Sequence, residues 1–267
     1  MQLRAIVCSV SVSLFIAGHA AAAPACGGDF AGWLADFRRE AATKGISQAA
    51  VGALDGVTPD QSVISRDHNQ RVFDQSFEQF SGRMIPPRLL RGENMLKRHG
   101  SLLVRIEQAY GVPGSVLVAI WGLETDYGSN IGTFPTLRSV ATLAYDCRRA
   151  EMFRAELMDA LRIIDRGDLA ANEMRGAWAG EMGQTQLMPS SYMKFAVDFD
   201  GNGKRDLLHS PADVLASTAN FLAGKGWKKG QPWNPGAANF DVLKEWNKSE
   251  VYARTVAAFA GQLENEH

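Results

Sequence analysis

A mainly-α fold is predicted, on three observations. Apolar residues recur at spacings of three and four along most of the 267-residue chain. Glycine and proline stand at the ends of those runs rather than inside them. Period-two alternation is scarce, with "NFDVLKEWN" as the best short strand candidate. No internal repeat or low-complexity tract interrupts the pattern.

The elements follow in order. Residues 1–23 read as a secretory signal peptide. Arg4 gives the positive start, Ala5 to Ala17 an apolar stretch too short to span a bilayer, and Ala20 to Ala23 a small-residue cleavage site. Pro24, and the lack of an aliphatic residue three positions before Cys26, argue against lipid attachment there. Residues 24–267 are then expected to be one exported unit, a monomer with no transmembrane anchor, because no later run is apolar for the ~18 residues a span requires.

Phe30, Trp33, Leu34 and Phe37 line a first helix that ends at Gly45. Val72, Phe73, Phe77 and Phe80 mark a second, stopped by Pro86 and Pro87. Met95, Leu96, Leu102, Leu103 and Ile106 share a face between Gly92 and Tyr110. Pro113 falls in the first turn of the next helix. There Val116, Leu117, Val118, Ile120, Trp121 and Leu123 point all round the axis, so this helix is predicted to be buried on every side. Further helices are expected over 139–146, 149–166, 190–195, 210–225 and 249–263, with a glycine- and proline-rich loop over 224–236.

Charge narrows the function classes. With 28 basic against 29 acidic residues, nothing suggests nucleic acid or an anionic membrane surface as a partner. Cys8 falls in the signal, leaving Cys26 and Cys147. An oxidising compartment makes a disulfide between them an expectation, with two separate buried thiols as the alternative. His68 and His99 read as surface or interhelical residues, and no histidine pair has zinc spacing.

The buried helix ends in "IWGLETDYG", which puts the carboxyl of Glu124 after an apolar run. Three roles are open to it: an ion pair with an arginine, a cap on a neighbouring helix, or a general acid. Leu117, Ile120 and Trp121 lie one or two turns back on its face, and an apolar wall of this kind keeps a carboxyl protonated, as proton donation to an acetal oxygen requires. Asp126, two residues on, points elsewhere if the helix continues; a helix-end or loop role suits it better than a second catalytic one. Downstream, "RGAWAGEMGQTQLMPSSY" mixes small residues with amides and aromatics. Gly176, Gly180 and Gly183 would let backbone approach a ligand, and Gln184, Gln186, Trp178 and Tyr192 are side chains typical of saccharide sites. A glycine-rich turn is the alternative.

Together, "IWGLETDYGSNIG" and "GEMGQTQLMPSSY" resemble the membrane-bound lytic murein transglycosylase B family. "RDHNQRVFDQSFEQF", "TLAYDCRRAEMF", "ASTANFLAGKGWKKGQPW" and "EWNKSEVYA" are similar to family segments in the same order, so the resemblance covers nearly the whole chain after the signal. It implies a lysozyme-like catalytic fold over 24–267, with peptidoglycan glycan strands as the partner. By motif, Glu124 corresponds to the family's single catalytic acid/base, Arg148 and Arg149 to an arginine pair lining the cleft, and Gln186 to a substrate-contacting glutamine. Trp246, Asn247 and Tyr252 correspond to a region lining the active site, and Tyr192 is read as a further substrate contact. Three positions depart from the pattern. Trp246 stands where tyrosine is frequent, Ala177 where serine is, and Met152 where an aromatic is.

The resemblance also implies a reaction that needs one carboxyl and no cofactor. Glu124 would protonate the oxygen linking N-acetylmuramic acid to N-acetylglucosamine. It would then take the proton from the muramic C6 hydroxyl, which closes a 1,6-anhydro ring. A hydrolytic muramidase and a non-catalytic peptidoglycan binder are the alternatives.

A second signal is "DFDGNGKRDLLHSPAD". Asp198, Asp200, Asn202, Lys204 (through its carbonyl) and Asp206 take the first, third, fifth, seventh and ninth positions of an EF-hand-like loop, with Gly203 at the turn. His209 stands where a bidentate glutamate is usual, so Asp213 is expected to close the shell around a structural calcium. An Asx-rich turn without metal is the alternative.

Overall fold

The helix that the sequence marks as apolar on every side is the centre of the molecule. Residues 26–69 and 75–265 are described by the computed structural model. The segment expected to be a signal peptide, 1–23, and Val72 and Phe73 lie outside them. In α7 (Gly114–Thr125), every residue but Gly114 and Glu124 is buried. Burying side chains such as Leu117 and Ile120 contributes about 1.5–3 kcal/mol each. α13 (Glu250–Asn265), α5 (Pro86–Arg98), α6 (Gly100–Tyr110) and α11 (Pro211–Gly224) pack around it. α8 (Thr136–Tyr145) and α9 (Ala150–Asp165) form a second packed pair, contacted by α1 (Phe30–Thr43), α2 (Gln48–Gly52) and α3 (Gln61–His68). α10 (Pro189–Phe195) bridges α9 and α11, and α4 (Phe77–Met84) and α12 (Ala238–Trp246) pack on α13. The sheet is a short antiparallel ribbon, β1 (Phe134–Pro135) with β2 (Arg175–Gly176), Phe134 opposite Gly176.

Four expectations are corrected. "NFDVLKEWN" is helical: it forms most of α12, whose Phe240 and Leu243, three apart, turn inward with Val242. The alternation of Phe240 with Val242 imitates a strand, but packing between α11 and α13 decides the element. The helix expected over 92–110 divides at His99 (φ −107°, ψ 15°), whose ring packs edge-on against Trp121. Pro86 and Pro87 do not only stop a helix; they open α5, where a missing N–H costs nothing. The helix before them is also interrupted, because α3 ends at His68 and α4 starts afresh under a Ser76–Gln79 capping box.

The end of α7 is locked from outside. Asp126 (φ 51°) and Tyr127 (φ 58°) take the left-handed conformation, which reverses the chain directly after Glu124 and Thr125. Tyr127 folds back and donates its hydroxyl to the Arg88 carbonyl at 2.8 Å. That hydroxyl would stand 2.7 Å from a Cβ on Gly122 and 2.8 Å from one on Gly92, so both helices need glycine there. Asp126 pairs with Arg88 at 2.8 Å, the helix-end role anticipated for it.

Cys26 and Cys147 are joined by a disulfide with Cα atoms 5.1 Å apart. The segment behind Cys26 is also tied by Gly27 N–H to the Tyr145 carbonyl, 2.9 Å. Among the described residues, no helix is long and apolar enough to cross a membrane.

Candidate active site

Glu124 is half-buried on a helix otherwise sealed from solvent after Gly114, because α7 ends at the floor of a cleft of about 440 Å³. Ala177, Glu181, Gln186 and Met188 form one wall, and Phe221, Trp246 and Asn247 the other. Two donors converge on one oxygen of the acid. Tyr252 Oη donates to Glu124 Oε1 at 2.5 Å, and Trp246 Nε1 donates to the same atom at 2.9 Å. Among the described residues no cation pairs with it, so the arginine ion pair weighed as one of its roles is not made. Burial pushes its pKa up; the Tyr252 and Trp246 hydrogen bonds pull against that, and the like charge of Glu181 adds to the rise. The balance is a carboxyl raised above the ordinary glutamate value. Burial and the neighbouring Glu124 also push the Tyr252 phenol well up, so it stays a donor.

The wall opposite α12 is a chain of tight turns. A Cβ on Gly176 would lie 1.7 Å from the Glu181 carbonyl, so β2 and the following turn can meet only through glycine. Gln184 is buried and binds the wall to α7: its Oε1 accepts from Trp121 Nε1 at 2.9 Å and its Nε2 donates to the Leu208 carbonyl at 2.6 Å. Gln186 lines the cleft, yet its amide is committed to backbone, accepting from Ala177 N–H and donating to the carbonyls of Ile131 and Gly183. It clamps the turns in place.

Other anticipated contacts are placed differently. Tyr192 has no exposed surface, and its hydroxyl donates to the Arg205 carbonyl; it braces the loop behind the cleft and cannot touch a ligand in it. Trp246 is not the open stacking platform that its position suggests, because its indole edge serves Glu124 and its ring meets Phe221 edge-on at 5.0 Å. Asn247 is exposed at the rim, accepting from Ser249 N–H at 2.9 Å. Arg148 and Arg149 do not bond Glu124. Both donate to Asp67, a buried residue of α3, and Arg149 also covers the Phe153 ring at 4.8 Å. Burial alone would raise Asp67; the two guanidinium groups outweigh it and hold the carboxyl below its ordinary value.

Two participants do not stand out in the sequence. Asp67 sits in a helix with no other sign of function; its separation of more than eighty residues from the arginine pair hides the contact. Glu181, inside "GEMGQTQ", is a second carboxyl in the cleft. The flanking glycines signal a tight turn, and the carboxyl between them is the half of that signal which is easily overlooked.

The acidic loop lies behind Tyr192 and feeds α11. Carboxylate oxygens of Asp198, Asp200 and Asp213 lie within 4.8 Å of one another. Asp213 is fully buried; burial raises its pKa, and the charge of Asp200 adds to the rise against hydrogen bonds from the Asp206 and Phe199 N–H groups. Asp198 lies at the rim of the loop and is held below its ordinary value, backbone N–H groups of Gly203, Gly201 and Asn202 outweighing its desolvation. Asp206 is turned away, accepting from Leu208 and His209 N–H and pairing with the His209 ring at 3.0 Å. Asn202 Oδ1 accepts from Lys204 N–H. A buried carboxyl facing two others is the donor set a hard cation balances.

Residues 29–238 match the family described as the transglycosylase SLT domain. The membrane-bound lytic murein transglycosylase B of Escherichia coli is 40% identical over 149 residues, which span 55% of this chain and 41% of that relative's length. Among solved structures, SltB3 from Pseudomonas aeruginosa in complex with NAG-NAM-pentapeptide is 33% identical, with a TM-score of 0.85 over 89% of this chain and 80% of that one. The same protein is also solved in complex with NAG-anhNAM-pentapeptide. The Escherichia coli lytic transglycosylase Slt35 in complex with calcium is 26% identical, with a TM-score of 0.80 over 90% of this chain and 96% of that one.

Proposed function

The chain belongs to the transglycosylase SLT domain family, and from that premise we propose that it is an exported, monomeric lytic transglycosylase of peptidoglycan. It acts in the periplasm on glycan strands, cleaves the β-1,4 bond between N-acetylmuramic acid and N-acetylglucosamine without water, and leaves a 1,6-anhydro sugar. The observation that carries this is the state of Glu124. It is raised in pKa at the floor of a cleft and served by neutral donors only.

Both donors go to Oε1, which leaves Oε2 to carry the transferable proton. Glu124 gives that proton to the glycosidic oxygen as the bond to C1 breaks. The N-acetyl group of the muramic residue stabilises the positive charge at C1. Tyr252 and Trp246 stabilise the carboxylate that has formed, since hydrogen bonds to a charged acceptor are the strong ones. Glu124 then takes the C6 hydroxyl proton as that oxygen bonds to C1, which returns the acid to its starting state. No cofactor enters. The SltB3 complexes, one with a muramic and one with an anhydromuramic ligand, support this substrate class.

Asp198, Asp200 and Asp213, with Asn202 and the Lys204 carbonyl, would hold a structural calcium, Asp206 joining only if it turned from His209. Its chemistry is charge balance: it would hold the buried Asp213 ionised and so anchor the segment running from the cleft to α11. The Slt35 complex supports this choice of ion.

One observation favours a second reading. Glu181 shares the cleft, and two carboxyls are what a hydrolytic muramidase uses. Mass spectrometry of digested sacculi separates the two. The transglycosylase yields 1,6-anhydromuropeptides, whereas reducing-end products would establish hydrolysis.

A further inference from the structure

Two other carboxyls line the cleft with Glu124. Glu245 is taken up by Lys225 and Lys248. Glu181 is not: its Oε2 is buried and has no hydrogen-bond partner. Its position is nevertheless fixed. The turn that carries it is pinned by the Gly176 contact and by Ala177 N–H donating to the Glu181 carbonyl at 3.1 Å.

The surroundings of the two cleft carboxyls differ in kind. Backbone N–H groups of Ala179 and Glu181 face the Glu181 side chain, and the Arg149 guanidinium acts on it through space. Arg149 is held in place by Asp67 and Phe153, and its buried Nε is left without a partner. Glu124 has only the neutral donors Tyr252 and Trp246.

We infer that Glu181 is a positioning residue for the acid, the ionised member of a two-carboxyl pair whose fixed negative charge keeps the proton on Glu124. This rests on Glu124 being the acid proposed above. Like charges in a shared low-dielectric site cannot both ionise freely, so the pair holds one proton over a wide pH range. The proton resides on the member that lacks a cation. Burial pushes both carboxyls up; the charge of Glu181 adds to the rise at Glu124, and Arg149 opposes it at Glu181. The other groups facing the pair are accounted for. Glu156 of α9 acts on Glu181 as a like charge while accepting from Ser190 N–H and Oγ. Glu245 of α12 is paired with lysines, and Arg88 of α5 acts on Tyr252. Arg149 thereby influences the acid through Glu181, without touching it.

The test is the pH profile of kcat/KM on sacculi for wild type, Glu181→Gln and Glu181→Asp, with thermal melts to establish folding. The basic limb reports loss of the proton from Glu124. In E181Q the like charge is gone, so that limb moves to lower pH and activity on the alkaline side falls about tenfold, while the optimum on the acid side is retained. E181D keeps the charge and keeps the limb near wild type. A carbon-13 titration of the Glu124 carboxyl without substrate reads the same shift independently of turnover. An unmoved limb and an unmoved Glu124 titration in folded E181Q overturn the inference. So does a folded E181Q inactive at every pH, which would make Glu181 a reacting group. A wild type that releases no anhydro product overturns the proposed function instead, and the titration still decides the pair.

Discussion

The cleft and the acidic loop each hold a group of carboxyls, and the two groups are treated in opposite ways. In the cleft, Glu124 receives an indole and a phenol on a single oxygen and no cation, and it is raised above its ordinary value. In the loop, Asp198 receives three backbone N–H groups on both oxygens and is held below its ordinary value. The difference teaches that donor number and solvent access decide whether a carboxyl serves as a proton store or as a fixed charge. Asp213 shows the intermediate case. It has the burial of the first group and the backbone donors of the second, and the like charge of Asp200 adds to its rise. A bound cation would resolve that conflict, as a proton would the one in the cleft.

The comparison breaks most visibly at Glu124 itself. Glu124→Gln keeps shape and both donors but cannot give a proton, so turnover on sacculi falls by about 10³-fold or more. Folding is retained, as circular dichroism would check. Next in size is the loop. Calcium at about a hundred times its Kd should stabilise by about 2.7 kcal/mol, roughly 5–10 °C in Tm against chelator for a domain of this size. Asp213→Asn should remove that difference, and a midpoint indifferent to calcium would show the loop to be an Asx turn alone.

Tyr252→Phe sharpens the cleft side. The Tyr252 hydrogen bond lowers the Glu124 pKa, so its loss raises it and moves the basic limb of the rate profile to higher pH. The plateau rate falls about tenfold because the carboxylate formed in the reaction has lost a donor. The smallest effect is on stability. Glu124 binds its proton more tightly folded than unfolded, so its contribution is fully present below the unfolded value and is lost as pH rises through the folded one. Gln never ionises. E124Q should therefore melt roughly 2–4 °C above wild type at neutral pH, with the gain vanishing in acid. Asp198→Asn in chelator should do the reverse, losing stability at neutral pH and not in acid, because its folded value lies below the unfolded one.

The helices are legible in the sequence wherever burial and spacing agree. α7 is the clearest, since residues apolar on all faces have nowhere to go but the centre. Legibility fails where one short segment serves two patterns. "NFDVLKEWN" alternates like a strand and also repeats at three, and only its neighbours choose. At His99 no proline or αL glycine marks the break between α5 and α6. In the site, Glu124 stands out because a carboxyl after an apolar run is costly and therefore informative. Resemblance places Trp246 and Tyr252 near it; that both aim at one oxygen is not readable, because it depends on how α12 and α13 turn against α7. Tyr192 misleads for the same reason, since an aromatic near a glycine-rich wall can face the ligand or the core. Glu181 escapes notice because a carboxyl between glycines looks like a solvated turn until the turn is folded against a wall.

The most direct measurement is a carbon-13 titration of the side-chain carboxyls of the wild-type protein, with Glu124 assigned by its absence in E124Q. Glu124 is expected to keep its proton after the exposed glutamates and Asp198 have lost theirs, and to release it only above the ordinary glutamate range. A Glu124 carboxyl that ionises together with the exposed glutamates would contradict its role as the proton store of the cleft.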